Sequence, residues 1–244
     1  MWSYLHRRAV SAAKAERGIT GLETAIILIA FVVVASIFAY TVLTAGVFSS
    51  QKASESVNAA IDEVRSSIKI SGNTIAYKGA VDIDGNTSTA DTVDAVVRIA
   101  LTIGVALQGV PIDVTPAYQI NATDKNLESS GATNSMVINF IDQRQVISNA
   151  AWTVEFSGSS DGDFSLEPTE RAVITIWLND YKFDGSNTLY YALGTDSTDP
   201  FFDIAADLLG NFDPFSIEIS PVQGTPLFIE KVIPQSLNEV MNLR

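Results

Sequence analysis

Between Glu23 and Lys52 the chain runs for 28 residues without a charge, and most of that run, Thr24 to Phe48, reads TAIILIAFVVVASIFAYTVLTAGVF. As a helix it is long enough to cross a bilayer, which takes about 20 apolar residues. It has no polar face, so a helix here must be enclosed, by lipid or by other protein. Arg7, Arg8, Lys14 and Arg17 precede it with only Glu16 against them, which favours a cytoplasmic N-terminus. An ordinary secretory signal fits poorly, because its apolar region spans about 7–15 residues and ends at a small-residue cleavage site. A simple signal anchor is one open reading.

The run continues into an amphipathic segment, Lys52 to Ile70. Val57, Ile61, Val64 and Ile68 fall at helical spacing, while Lys52, Glu55, Asn58, Asp62, Glu63 and Arg65 lie largely off that stripe. No Pro occurs between Leu22 and Ser71, Gly46 is the only Gly there, and Gly72-Asn73 supplies a stop signal. The pattern predicts one continuous helix from Leu22 to Ser71, apolar all round at first and one-sided afterwards.

The junction before the helix reads Glu16-Arg17-Gly18-Ile19-Thr20-Gly21-Leu22-Glu23-Thr24-Ala25. A basic residue and a Gly precede a short uncharged stretch, and Glu23 stands at the fifth position after Gly18. This resembles the class III signal peptide of type IV pilin-like proteins. The resemblance implies that a membrane peptidase of the prepilin type cuts between Gly18 and Ile19 on the cytoplasmic side. The apolar helix would stay with a product holding 11 basic and 27 acidic residues, a formal charge of −16. The wording ITGLETAIILIAFVVVASIFAYTVL is similar to that of archaellins, the archaeal flagellins, though Glu23 stands where most archaellins carry Gly. Near the other end, Gly224-Thr225-Pro226-Leu227-Phe228-Ile229-Glu230-Lys231, then Pro234 and Glu239-Val240-Met241-Asn242-Leu243, resembles the final strand and tail of archaellins.

From Ile75 onward the period changes to two. Val93, Ala95, Val97, Ile99, Leu101, Ile103, Val105 and Leu107 occupy alternate positions of Asp91 to Gln108, the pattern of a strand with one buried face. Further predicted strands are 75–82, 116–120, 135–141, 151–156, 171–179, 188–193, 215–220 and 227–233. Between them lie the turn signals Asp84-Gly85-Asn86, Ser130-Gly131, Asp161-Gly162, Asp184-Gly185 and Asn211 to Pro214. Asp199 to Leu209 reads as one short helix or a loop. Strands in series without alternating helices predict an antiparallel sandwich rather than a parallel α/β sheet. The expected fold class is therefore α+β: a long N-terminal hydrophobic helix, then an antiparallel β-sandwich, which the archaellin resemblance implies is immunoglobulin-like. The expected division is 1–18 as a removed class III signal peptide, 19–71 as the helix (membrane anchor, then filament core) and 72–244 as the outer sandwich.

Composition narrows the function. With 15 Lys+Arg against 28 Asp+Glu the chain carries −13, which excludes the basic footprint that nucleic-acid binding needs. There is no Cys, and the only His, His6, lies in the leader; the retained part then has no thiolate, no imidazole and no Ser-His-Asp triad. No phosphate-binding loop or dinucleotide fingerprint is present. Asp82-x-Asp84-Gly85-Asn86 lacks a third acidic ligand before the Gly and a Glu at the twelfth position of a calcium loop, so it reads as a polar hairpin turn, as does Asp161-Gly162-Asp163. Trp152 and Trp177 read as core or interface anchors. No enzyme activity, cofactor or metal is expected. Two sequons, Asn86-Thr87-Ser88 and Asn121-Ala122-Thr123, are candidate glycosylation sites in an exported domain.

These expectations join in one function: an extracellular filament subunit that polymerises with copies of itself through its N-terminal helix after transient membrane insertion. The resemblance implies an archaellum turned by motor proteins at its base. Glu23 either caps or borders the helix at the membrane interface, or pairs with the amine exposed at Ile19 and sets the register between subunits. An adhesive type IV-like pilus built the same way is the alternative, and a signal-anchored extracellular binding protein is a third.

Overall fold

The computed structural model describes residues 2–65, 67–85, 91–106, 110–133, 136–183, 189–195 and 199–243. It divides into two units, Met1–Ala59 and Ala60–Arg244.

The helix α1 spans Trp2–Arg65, 64 residues, or about 96 Å at 1.5 Å per residue. It begins well before Leu22, so the leader and the Gly18–Ile19 junction share one helix with the apolar run. Every Ser and Thr hydroxyl between Thr24 and Phe48 turns back onto the helix's own carbonyls. Thr24 donates to Gly21 O at 3.0 Å, Ser36 to Val32 O at 2.6 Å, Thr41 to Phe38 O at 2.8 Å and Thr44 to Tyr40 O at 2.8 Å. These hydroxyls therefore need no water, as a helix in lipid or in a dry protein core requires.

The strands are β1 (Ile68–Asp82), β2 (Thr92–Val105), β3 (Ile112–Asp113), β4 (Tyr118–Ile120), β5 (Leu127–Ser129), β6 (Met136–Asp142), β7 (Val146–Ile147), β8 (Ala151–Phe156), β9 (Ser165–Leu166), β10 (Ala172–Trp177), β11 (Asp180–Phe183), β12 (Leu189–Ala192), β13 (Pro214–Pro221), β14 (Leu227–Val232) and β15 (Val240–Leu243). A seven-stranded sheet runs β11-β12-β1-β2-β10-β8, with β15 also on β1, and a four-stranded sheet runs β14-β13-β6-β7. Two short ribbons, β3–β9 and β4–β5, complete the pairings among the described residues. All pairs are antiparallel except β1 with β12.

The two sheets share one core. Ala95, Val97, Ile99, Leu101, Ile103 and Val105 of β2 are buried, in one cluster with Met136, Ile138 and Phe140 of β6 and Ile217 and Ile219 of β13. Phe140 packs at 5.5 Å from Phe202 and 5.7 Å from Phe215 between ring centroids. The shared cluster, rather than this aromatic group, is what makes the sheets a sandwich: strands of both sheets lend side chains to a common interior. A second cluster of Leu127, Ala151, Trp177 and Phe201 is joined by Tyr118, Tyr181 and Tyr191. There the Arg98 guanidinium sits 4.4 Å from the Tyr77 ring and 5.2 Å from Trp177. Trp152 is wholly buried, and Trp177 donates to Thr153 Oγ1 at 3.0 Å, so both tryptophans are anchors within the domain.

Several boundaries differ from the sequence reading. The helix stops at Arg65, and Ile68 to Ser71 belong to β1, so the outer domain starts before residue 72. Ile68 continues the helical stripe in spacing, but it is buried opposite Val105 in β2. Gly72-Asn73 is a bulge inside β1, where the register slips between Ile70 and Thr74. A Cβ on Gly72 would lie 3.2 Å from Thr102 Cβ, which explains a Gly there without a helix stop. Val93 is exposed although it keeps the alternation, and Leu107 lies outside the described residues. Ala205–Asp207 forms a single 3₁₀ turn. The tail after Pro234 forms β15, which buries Met241 and Leu243 against β1. Asp82 and Asp161 make turns: Asp82 Oδ1 accepts from the amides of Asp84 and Gly85 at 3.2 and 3.0 Å, and Asp161 Oδ1 from Asp163 at 3.3 Å.

Because Phe140 is wholly buried in the cluster that both sheets share, Phe140→Ala is expected to destabilise the outer domain by about 3–5 kcal/mol. Urea unfolding followed by Trp fluorescence checks this; a midpoint within error of the unmodified chain would contradict the shared core.

Candidate assembly interface

The chemistry-bearing surface is the apolar run of α1. From Leu22 to Phe48 its large apolar side chains are 48–73% exposed, and the span Gly21–Ile61 is long and apolar enough to cross a membrane. An isolated exposed Leu is ordinary on a protein surface; a contiguous apolar surface of this size marks an interaction site.

Its arrangement says what kind of interaction. Ile26, Ile27, Leu28 and Ile29 are consecutive, as are Phe31, Val32, Val33 and Val34. At 3.6 residues per turn, four consecutive side chains reach every side of the helix. A single partner helix would cover one stripe and leave the rest wet, so the run calls for lipid or for several neighbours at once. Small residues at Ala30, Ala35, Ser36, Ala39, Ala45 and Gly46 allow backbones to come close. Gly46 lowers helix propensity by about 1 kcal/mol relative to Ala, and a Cβ there would meet nothing within 4 Å in its own chain.

Beyond Phe48 the surface becomes mixed. Lys52 and Glu55 pair at 2.6 Å on an exposed face, while Val57 and Ile61 stay exposed at the spacing of one stripe. That half can meet water on one side and protein on the other.

The sequence-predicted site residues fall in different places. Gly18, Ile19 and Glu23 lie within about one and a half turns of α1. In the uncut chain Glu23 is exposed and far from the helix start, so it caps nothing there. Asn121 lies in the second unit, at the turn after β4. Its amide donates to Glu128 Oε2 at 2.9 Å, its Oδ1 accepts from Thr123 N–H at 2.8 Å, and Lys125 N–H donates to its carbonyl at 3.0 Å. Asn86 lies outside the described residues. Among the described residues no group of three His, Asp or Glu is placed to hold a metal ion. An exposed Phe212 held at φ 61° was not singled out by periodicity; its signal is an aromatic inside the turn Asn211-Phe212-Asp213-Pro214.

If the apolar run alone drives association, a chain beginning at Gln51 is expected to run as a monomer in water by size-exclusion chromatography with light scattering. The full chain is expected to need detergent or to polymerise. Large assemblies from the truncated chain would contradict this.

Known proteins share this plan. The family model for archaeal-type flagellin matches residues 18–231. The chain is 31% identical over 233 residues to "Probable flagellin 1" of Archaeoglobus fulgidus, covering 94% of this chain and 96% of that one. It is 28% identical over 226 residues to "Probable flagellin 1" of Aeropyrum pernix, covering 91% and 94%. Its fold is similar to that of a chain in the archaeal flagellum of Methanospirillum hungatei strain JF1, with a TM-score of 0.52 over 91% of this chain and 98% of that one, at 19% identity. A family match over most of the length and a relative above 30% identity from end to end lead to one conclusion: the chain belongs to the archaeal-type flagellin family and is a structural subunit of an archaeal flagellar filament, the archaellum.

Proposed function

We propose that the chain is made as a membrane precursor, cut between Gly18 and Ile19 by a prepilin-type peptidase, and drawn from the bilayer into an extracellular filament whose centre is its own apolar helix. The observation that carries this reading is the run Leu22 to Phe48, apolar on every side of its helix. The family match beginning at Gly18 supports the boundary. In lipid, helices associate by packing rather than by water exclusion. In a filament standing in water, leaving the run exposed is prohibitive. Burying about ten large apolar side chains at ~1.5–3 kcal/mol each gives an upper bound on the order of 15–30 kcal/mol per subunit.

Cleavage changes the start of the helix. It removes Arg7, Arg8, Lys14 and Arg17 with Glu16, a net +3 that anchors the leader at the cytoplasmic face. It also makes Ile19 the first residue and leaves Glu23 about one turn beyond it, near the helix N-terminus, whose dipole favours a carboxylate. Glu23 then stands beside the new α-amine of its own or a neighbouring subunit. An unpaired carboxylate inside an apolar core is strongly disfavoured, so this pair would reject subunits out of register.

The remaining partners follow from the same reading. Rotation comes from motor proteins at the filament base. Asn86 and Asn121 would carry the glycans. At Asn121 the amide nitrogen donates one of its two hydrogens to Glu128, and a glycan would replace the other. Motility, not adhesion, is the role, since the family is the archaeal-type flagellin rather than a pilin.

N-terminal sequencing and intact-mass measurement of sheared filaments test the scheme together. The expected N-terminus is Ile19-Thr-Gly-Leu-Glu, with mass above that of residues 19–244 by whole glycans, lowered by one glycan in Asn121→Gln. A first residue at Met1, or one beyond Phe48, would overturn the cleavage reading, and an unmodified mass would dismiss the glycans. Glu23→Ala is expected to cut filament yield at least tenfold; normal yield and length would reject the register role.

A further inference from the structure

Between Thr24 and Phe48 five side chains can hydrogen-bond: Thr24, Ser36, Tyr40, Thr41 and Thr44. The four aliphatic hydroxyls donate to carbonyls three or four residues back in their own helix. The Tyr40 phenol cannot do the same, because its rigid ring holds the oxygen away from its own backbone. Tyr40 is 70% exposed, and among the described residues its hydroxyl makes no hydrogen bond. It is the one polar side chain of the run that its own helix leaves unsatisfied.

The membrane precursor gives this hydroxyl a place. Tyr40 follows Glu23 by 17 residues, about 26 Å along the helix. With Glu23 at the cytoplasmic interface, a hydrocarbon core of about 30 Å puts Tyr40 near the outer boundary, where a tyrosine hydroxyl reaches headgroups and water. Entry into a filament core removes that water. Val42, Leu43, Val47 and Phe48 carry the exposed apolar surface on for two turns beyond Tyr40, so the phenol enters the enclosed stretch and not its end. A hydroxyl buried without a partner is strongly disfavoured.

We propose that in the filament the Tyr40 phenol donates a hydrogen bond to the helix of a neighbouring copy, accepted by the hydroxyl oxygen of Ser36, Thr41 or Thr44, and that this bond sets the register of the packed helices. This rests on the filament reading above, in which copies of the chain enclose the run. The acceptors follow from what remains open there. Main-chain carbonyls of the run already accept within the helix. Ser36, Thr41 and Thr44 give their protons to their own helix but keep acceptor lone pairs on oxygen. All three stand within four residues of Tyr40, so neighbours offset by about one turn or less bring donor and acceptor to one level. Apolar packing alone selects register weakly here, because a helix apolar on every side exchanges one such contact for another as it slides. A hydrogen bond is directional, and a slip of one residue turns the ring by about 100° and moves it about 1.5 Å. A single polar position specifies register in coiled coils in the same way.

Tyr40→Phe removes the hydroxyl and keeps the ring. Its filaments are expected to dissociate at a lower temperature than unmodified filaments, while the dispersed full chain in detergent unfolds at an unchanged temperature. Double-mutant cycles with Ser36→Ala, Thr41→Val and Thr44→Val identify the acceptor: one of the three is expected to lower the dissociation temperature and to add no further loss to Tyr40→Phe. Leader cleavage in Tyr40→Phe is expected to be unchanged, and a variant that is cut but forms no filaments supports the bond as well. Tyr40→Phe filaments as heat-stable as the unmodified ones, losses that add in all three pairs, or a variant that is no longer cut would overturn the bond. Each of these leaves the filament reading intact, since that reading needs only apolar burial. Failure of the unmodified chain to form filaments would instead overturn the filament reading.

Discussion

Water cannot be the final environment of α1. An amphipathic helix satisfies itself against one neighbour, but the stretch from Ile26 to Val34 presents apolar side chains in every direction. The same property serves two stages of one life. In the scheme proposed above, lipid would surround the helix in the precursor and other copies would surround it in the polymer. Internal hydrogen bonding of Thr24, Ser36, Thr41 and Thr44 fits both, because neither setting offers water to a hydroxyl.

The second unit answers the opposite demand. It carries most of the acidic residues and folds around its own core, with Phe140, Trp152 and Ile99 wholly buried. The chain thus divides an uncharged apolar helix from an acidic, self-contained sandwich, the division that the proposed filament would use for cohesion and solubility. The chain passes from one to the other within three residues, Arg65 to Ile68. β1, which begins there, is paired with β2 along its length and with β12 and β15 on its other side.

Much of this was legible in the residues. The uncharged run announced a helix that must be enclosed, and the Arg17-Gly18 junction with Glu23 carried the family resemblance. The alternation of Val93 to Val105 named a strand with one buried face; that face is buried, Val93 apart, but Val96 and Ala100 on the other face are buried as well. What escaped depends on tertiary context. Ile68 fits a helical stripe and a strand equally well, and only its pairing with Val105 decides between them. Gly72 looks like a helix stop until Thr102 is seen beside it. β15 is too short to show a period, and its place is set by the open edge of β1. Phe212 carries no periodic signal, since what sets it apart is a backbone angle in a turn.

The central claim is that copies of the chain sheathe the apolar helix in the finished filament. The most direct measurement is thiol labelling of Val34→Cys in intact filaments with a membrane-impermeant, water-soluble maleimide, compared with the same filaments after dissociation in detergent and denaturant. The account predicts negligible labelling in the filament and complete labelling after dissociation. Labelling of intact filaments as fast as that of a cysteine on the outer domain would contradict it.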